Sequence, residues 1–167
     1  MSTVVQPPTA SAELTADQLE LQQRARTFVE TVLMPLELEA EERAGRLPEE
    51  TIEQIKAEAI AARLNGGRFA PEYGGQGWSM LEWFLVNEQF GRVTNGLHWH
   101  VPSTYNVLMQ GTPEQIERYL VPALRGEGGD AYAVTEAEAG SDPSGIATTA
   151  VLAIPPGSEP ASASVTA

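Results

Sequence analysis

The residues best placed to do chemistry lie in Ala131–Ala150, AYAVTEAEAGSDPSGIATTA. Tyr132-Ala133-Val134-Thr135 is short, partly β-branched and strand-like, and it runs into Glu136 and then Gly140-Ser141-Asp142. A strand that opens into a loop with a glycine, a hydroxyl and free backbone N–H groups can hold an anionic or planar ligand. Glycine lets the backbone come close, and serine adds a donor. On residue types alone, an ordinary strand-to-turn passage fits the same stretch.

Other combinations carry less. Gly74-Gly75 reads as a joint rather than a phosphate cradle, because no G-x-G-x-x-G pattern or Walker lysine accompanies it. His98 and His100 flank Trp99, but two histidines do not complete a ligand set, so no metal site is expected. The chain has 0 cysteines, which excludes disulfides, thiolate catalysis and cysteine-metal sites. Its 23 acidic and 10 basic residues give a net charge of −13. Nucleic-acid binding needs a basic face, and an anionic membrane surface would repel this chain, so neither partner is expected. The acidic excess reads as a solvated helical surface.

At 167 residues and 42% hydrophobic content, the chain can bury one real core. Thr15-Ala16-Asp17-Gln18 is a capping box, and Leu21, Ala25, Phe28, Val29, Val32, Leu33 and Leu36 follow it at helical spacing. Pro35 is expected to kink or end that helix. A second helix opens at Leu47-Pro48-Glu49-Glu50, buries Ile52, Ile55, Ala59 and Leu64, and is expected to stop at Gly66-Gly67. Ser79-Met80-Leu81-Glu82 caps a third, with Leu81, Phe84, Leu85 and Glu88 on its interior face and Glu88 an anchor rather than a base. A fourth helix is expected over about 102–109, and Thr112-Pro113-Glu114-Gln115 starts a fifth with Ile116, Tyr119 and Leu120 behind it. Trp78, Trp83 and Trp99 are expected in the core.

Several blocks, in order, resemble the acyl-CoA dehydrogenase family. Ala70-Pro71-Glu72-Tyr73-Gly74-Gly75-Gln76-Gly77 is similar to its P-E-x-Y-G-G-x-G loop, and 86–93 to the helix that follows. Gly111-Thr112-Pro113-Glu114-Gln115 with Tyr119-Leu120 matches its G-T-x-E-Q-K-x-x-Y-L segment. Ala133-Val134-Thr135-Glu136 with Ala139-Gly140-Ser141-Asp142 matches its A-x-T-E-P-x-A-G-S-D flavin signature. One block would be weak; the ordered set is specific. Two departures occur within the signature, Ala137 for the usual proline and Glu138 for a small residue.

The resemblance implies a mainly α fold: an acyl-CoA dehydrogenase-like N-terminal helical domain followed by the start of a β-domain, truncated. It divides the chain into a flexible segment 1–13, the helical domain 14–128, the start of the central β-domain 129–150 with its first strand at Ala131–Glu136, and a disordered or non-family tail 151–167. It implies a flavoprotein oxidoreductase of fatty acid metabolism, with FAD taking up hydride during α,β-dehydrogenation of an acyl-CoA thioester. Carried over by position, Val134 and Thr135 meet the flavin ring edge, Tyr132 packs near the ring, and Gly140 and Ser141 approach the pyrophosphate. Ser141 is also the acyl-CoA-binding position, and Trp99 is an alternative candidate for the acyl pocket.

The family's catalytic glutamate lies in a C-terminal domain to which nothing here corresponds, so no catalytic residue is assigned. The 167-residue chain alone is expected not to catalyse dehydrogenation. An electron-transfer flavoprotein is the implied partner, a homo-oligomer the implied assembly of a full-length chain, and the cytoplasm the expected compartment. Two other readings stay open: a catalytically silent helical interaction module, and a flavin monooxygenase of the same architecture.

Overall fold

Helix starts follow the capping chemistry. Thr15 Oγ1 accepts from the Gln18 N–H at 3.2 Å while Gln18 Oε1 accepts from the Thr15 N–H at 3.0 Å, opening α1 (Ala16–Phe28). The computed structural model describes residues 13–128, 134–140, 142–151 and 164–165. After α1 come α2 (Glu37–Glu42), α3 (Glu49–Ala61), α4 (Met80–Phe90), α5 (Pro113–Gln115) and α6 (Val121–Leu124). Reciprocal caps also open α4, from Ser79 and Glu82, and α5, from Thr112 and Gln115. Two compact units result, Met1–Asp130 and Ala131–Ala167. In the second, β1 (Ala150–Val151) pairs antiparallel with β2 (Ser164–Val165), Ala150 opposite Val165.

Pro35 does not end the first helix. Val29–Leu33 forms a π turn, Met34–Leu36 a 3₁₀ turn, and α2 continues directly. The π turn closes with Met34 N–H to Val29 C=O, immediately before Pro35. Ile116–Leu120 repeats the device: Val121 N–H reaches Ile116 C=O, immediately before Pro122. In a regular helix the proline ring would collide with the carbonyl four residues back. Widening the preceding turn changes that spacing, so both helices run through their prolines.

The main core joins Leu21, Ala25 and Phe28 of α1 to Val29 and Leu33, to Ile55 and Ala59 of α3, and to Val86 and Phe90 of α4. Phe28 and Phe90 meet edge-to-face with ring centroids 6.3 Å apart. A smaller cluster gathers Phe69, Leu120 and Leu124, flanked by Tyr73, Leu108 and Ile116.

Several expectations are corrected. The buried face of α4 is Leu85, Val86, Gln89 and Phe90, whereas Phe84 is 57% exposed and Leu81 and Glu88 are exposed. Apolar character misled the phase, because Gln89 is the buried member and gains polar partners there. Its Oε1 accepts from Arg26 Nε at 3.2 Å and from Arg92 at 3.3 Å. Tyr119 is also exposed, and Trp99 stands 81% exposed rather than in the core; Trp78 and Trp83 are half-buried. The expected helix over 102–109 is a single 3₁₀ turn, Asn106–Gln110, with another at Leu97–His100.

α3 stops before Gly66. Arg63 adopts the left-handed conformation (φ 54°), with Leu64 N–H bonded to Ala59 C=O and Arg63 N–H to Ile60 C=O. That is a Schellman closure made without glycine. Gly66 instead serves the joint beyond, where its N–H donates to Pro102 C=O at 2.8 Å.

Asn65 ties this joint together. Its Nδ2 donates to Leu124 C=O at 2.9 Å and Gly74 C=O at 3.2 Å, and its Oδ1 accepts from Gln76 Nε2 at 3.1 Å. The side chain is buried, so Asn65→Ala leaves polar groups without partners and is expected to cost about 2 kcal/mol in urea unfolding.

Candidate functional site

The signature loop is built around Glu136. Val134–Glu136 has no regular secondary structure and forms no strand ladder among the described residues; residues 131–133 lie outside them. A turn follows, in which the Glu136 C=O accepts from Ala139 N–H at 3.2 Å and Gly140 N–H at 3.0 Å. The chain then returns through a 3₁₀ turn, Pro143–Gly145. Asp142 caps that turn, with Oδ1 accepting from Ser144 N–H at 3.0 Å and Ser144 Oγ at 2.7 Å. Beyond it, the Glu136 carboxylate accepts from Ala147 N–H at 2.9 Å, from Thr148 N–H at 2.8 Å and from the Thr148 hydroxyl.

Of the five expected cofactor contacts, Val134, Thr135 and Gly140 fall on this loop and are exposed. Tyr132 and Ser141 lie outside the described residues. Gly140 has φ +51°, and a Cβ built there would meet no heavy atom within 4 Å. The backbone is thus open on that side, in a conformation that favours glycine. Ala137 and Glu138, the departures from the signature, both sit in the exposed turn.

Residue types alone gave no sign that Glu136 would be the anchor. Its partners lie 11 and 12 residues away, beyond any capping or turn pattern.

Electrostatics follow the bonds. The Thr148 hydroxyl, then the Ala147 and Thr148 amides, hold the Glu136 carboxyl below its ordinary pKa. The Ser144 hydroxyl and amide do the same for Asp142. A depressed folded-state value means the contact stabilises the loop above the unfolded pKa, about 3.9 for Asp and 4.3 for Glu. That contribution is lost as pH falls through the lower folded values. The amide signals of Ala147, Thr148 and Ser144 are therefore expected to stay constant from neutral pH to about 4.5 and to move only in more acid solution, as read by NMR.

The two histidines belong to the helical unit. Burial lowers the pKa of His98, whose ring stacks on Phe90 at 6.4 Å. Burial and then the Lys56 charge lower that of His100. Both are accordingly neutral imidazoles at pH 7, and His98 is a packing element beside the exposed Trp99.

Residues 15–127 match the family model described as acyl-CoA dehydrogenase, N-terminal domain. The capped helical unit is therefore the N-terminal domain of a known class of oxidoreductase. This chain belongs to the acyl-CoA dehydrogenase family. It is 33% identical over 132 residues to the caffeyl-CoA reductase-Etf complex subunit CarC of Acetobacterium woodii, covering 76% of this chain and 34% of that protein. It is 33% identical over 144 residues to the short-chain specific acyl-CoA dehydrogenase of Clostridium acetobutylicum, covering 83% of this chain and 37% of that one. The solved butyryl-CoA dehydrogenase from Megasphaera elsdenii superposes with a TM-score of 0.65 at 30% identity, over 83% of this chain and 37% of that chain. The chain thus spans about a third of the length of the curated relatives it matches. No helix among the described residues is long and apolar enough to cross a membrane.

Proposed function

We propose that this chain supplies the helical domain and first flavin-contacting segment of an FAD-dependent acyl-CoA dehydrogenase. The observation that carries this reading is the family match over residues 15–127, followed in sequence by the flavin signature. The loop suits the group: Gly140 offers open backbone, and Thr135 is an exposed hydroxyl-bearing residue just before the turn. Val134 and Thr135 would hold the ring edge, with Tyr132 beside the ring. Gly140 and Ser141 would take the pyrophosphate, and Ser141 also the acyl-CoA. Bound FAD supplies hydride acceptance as the thioester loses its α-proton.

The work of this chain's own residues is orientation. They set the backbone of the loop before the ligand arrives, so that less ordering is left to occur on binding. None of its carboxylates is assigned as the proton acceptor. The expected electron acceptor is an electron-transfer flavoprotein, a reading supported by the Etf complex that the name of the Acetobacterium relative records. Homo-oligomeric assembly and a cytoplasmic setting complete the proposal.

Titrating the purified chain with FAD and then with an acyl-CoA tests it. Uptake of yellow colour, with flavin bands that shift on acyl-CoA addition, supports the dehydrogenase segment; bleaching is not expected of a chain to which no proton acceptor is assigned. Yellow protein inert to acyl-CoA but active with reduced flavin and oxygen would mark a monooxygenase. A folded, colourless protein would mark a silent helical module and end the cofactor reading for this chain.

A further inference from the structure

Glu136 closes the signature loop from both sides. Its backbone carbonyl accepts the Ala139 and Gly140 amides, while its side chain accepts the Ala147 and Thr148 amides and the Thr148 hydroxyl. The described residues between 137 and 147 therefore leave from and return to one residue, the arrangement of a compact closed loop. Thr135 precedes that residue directly, and Gly140 is bonded to it. From this convergence we propose that Glu136 is the positioning residue of the flavin loop: it fixes where the Thr135 hydroxyl and the open backbone face of Gly140 stand toward the cofactor. The inference rests on the flavin reading above.

Charge makes the same point. A free carboxylate beside a pyrophosphate would repel it, at a cost that grows as water is excluded. Glu136 directs both carboxylate oxygens at the 147–148 segment. Its negative charge is met there by two N–H groups and a hydroxyl, on the loop's return arm. Glu138 lies in the exposed turn and has no such partner among the described residues. The two glutamates, two positions apart, therefore separate a positioning role from a mere charge effect.

The experiment compares the unaltered chain with Glu136→Ala, Glu136→Gln, Thr148→Val, Thr148→Ser and the charge-matched control Glu138→Gln. Two readouts are taken: hydrogen-exchange protection of the Ala147 and Thr148 amides without ligand, and FAD affinity with the position of the bound-flavin visible bands. Expected is at least a tenfold loss of amide protection in Glu136→Ala. The same variant loses at least tenfold in FAD affinity and shifts the flavin bands. Glu136→Gln and Thr148→Val fall between, Thr148→Ser restores most of both signals, and Glu138→Gln protects the amides as the unaltered chain does.

Unprotected amides in the unaltered chain would overturn the clamp while leaving the flavin reading standing. Protected amides with FAD affinity and bands indifferent to Glu136 would show an anchor that positions nothing, which also overturns it. Protected amides in a chain that takes up no FAD would instead refute the flavin reading, and the positioning role with it.

Discussion

Replacing Gly75 with alanine is expected to destabilise the helical unit by about 3 kcal/mol or more, well beyond a typical surface change. The added Cβ would stand 2.1 Å from the Phe69 carbonyl oxygen and 2.5 Å from its carbon. Neither atom is free to retreat. The Phe69 oxygen accepts from Gly77 N–H at 2.8 Å, and the Phe69 N–H donates to Gly66 C=O at 2.8 Å. Gly66 is pressed from the other side, where its own added Cβ would lie 2.7 Å from Gly75 Cα. Neighbouring Gly74 is the control. It has φ +96° and empty space around an added Cβ, so Gly74→Ala introduces backbone strain of about 1–2 kcal/mol without a collision. Urea unfolding of both variants decides the matter: equal losses would mean that space at Gly75 is not the constraint.

Leu33→Ala should lower stability by about 3–4 kcal/mol in the same measurement. Leu33 is 0% exposed and sits in the π turn, between α1 and the Pro35 turn, within the main core. Truncation removes transfer free energy and leaves a cavity in the close-packed main core. The matched surface variant is Leu38→Ala. Leu38 is 71% exposed, and its loss should stay within about 0.5 kcal/mol. A small effect at Leu33 would show that the turn relaxes inward.

Local chemistry made much of this fold readable. Three capping boxes, at Thr15, Ser79 and Thr112, begin helices where their spacing requires, because each is a bond between near neighbours in sequence. The stripe from Leu21 to Leu33 was legible for the same reason. Reading failed where distant partners decide. Gln89 displaced Glu88 and Phe84 from the interior because Arg26, 63 residues away in sequence, reaches it there, joined by the nearby Arg92. Arg63 replaced glycine at the end of α3 because the Schellman bonds outweighed the cost of a left-handed arginine.

The candidate site shows the same division. Thr135 and Gly140 could be named from a local signature, whereas the Glu136 anchor depends on a loop closing upon itself. Gly74-Gly75 read correctly as a joint, yet the sequence did not show which glycine is immovable. Only the approach of Phe69 does that.

The two proline-terminated π turns also bear on how this chain tolerates changes in length. Deleting a residue from a regular helix rotates everything downstream by about 100° and turns buried side chains toward water. A π turn already holds one residue more than an α turn. Removing an exposed one there, such as Glu30 or Glu117, returns the backbone to regular pitch and keeps the following segment in phase. Within these helices, Val29–Leu33 and Ile116–Leu120 are therefore the places where a single-codon deletion should do least harm, provided the adjoining proline is replaced as well.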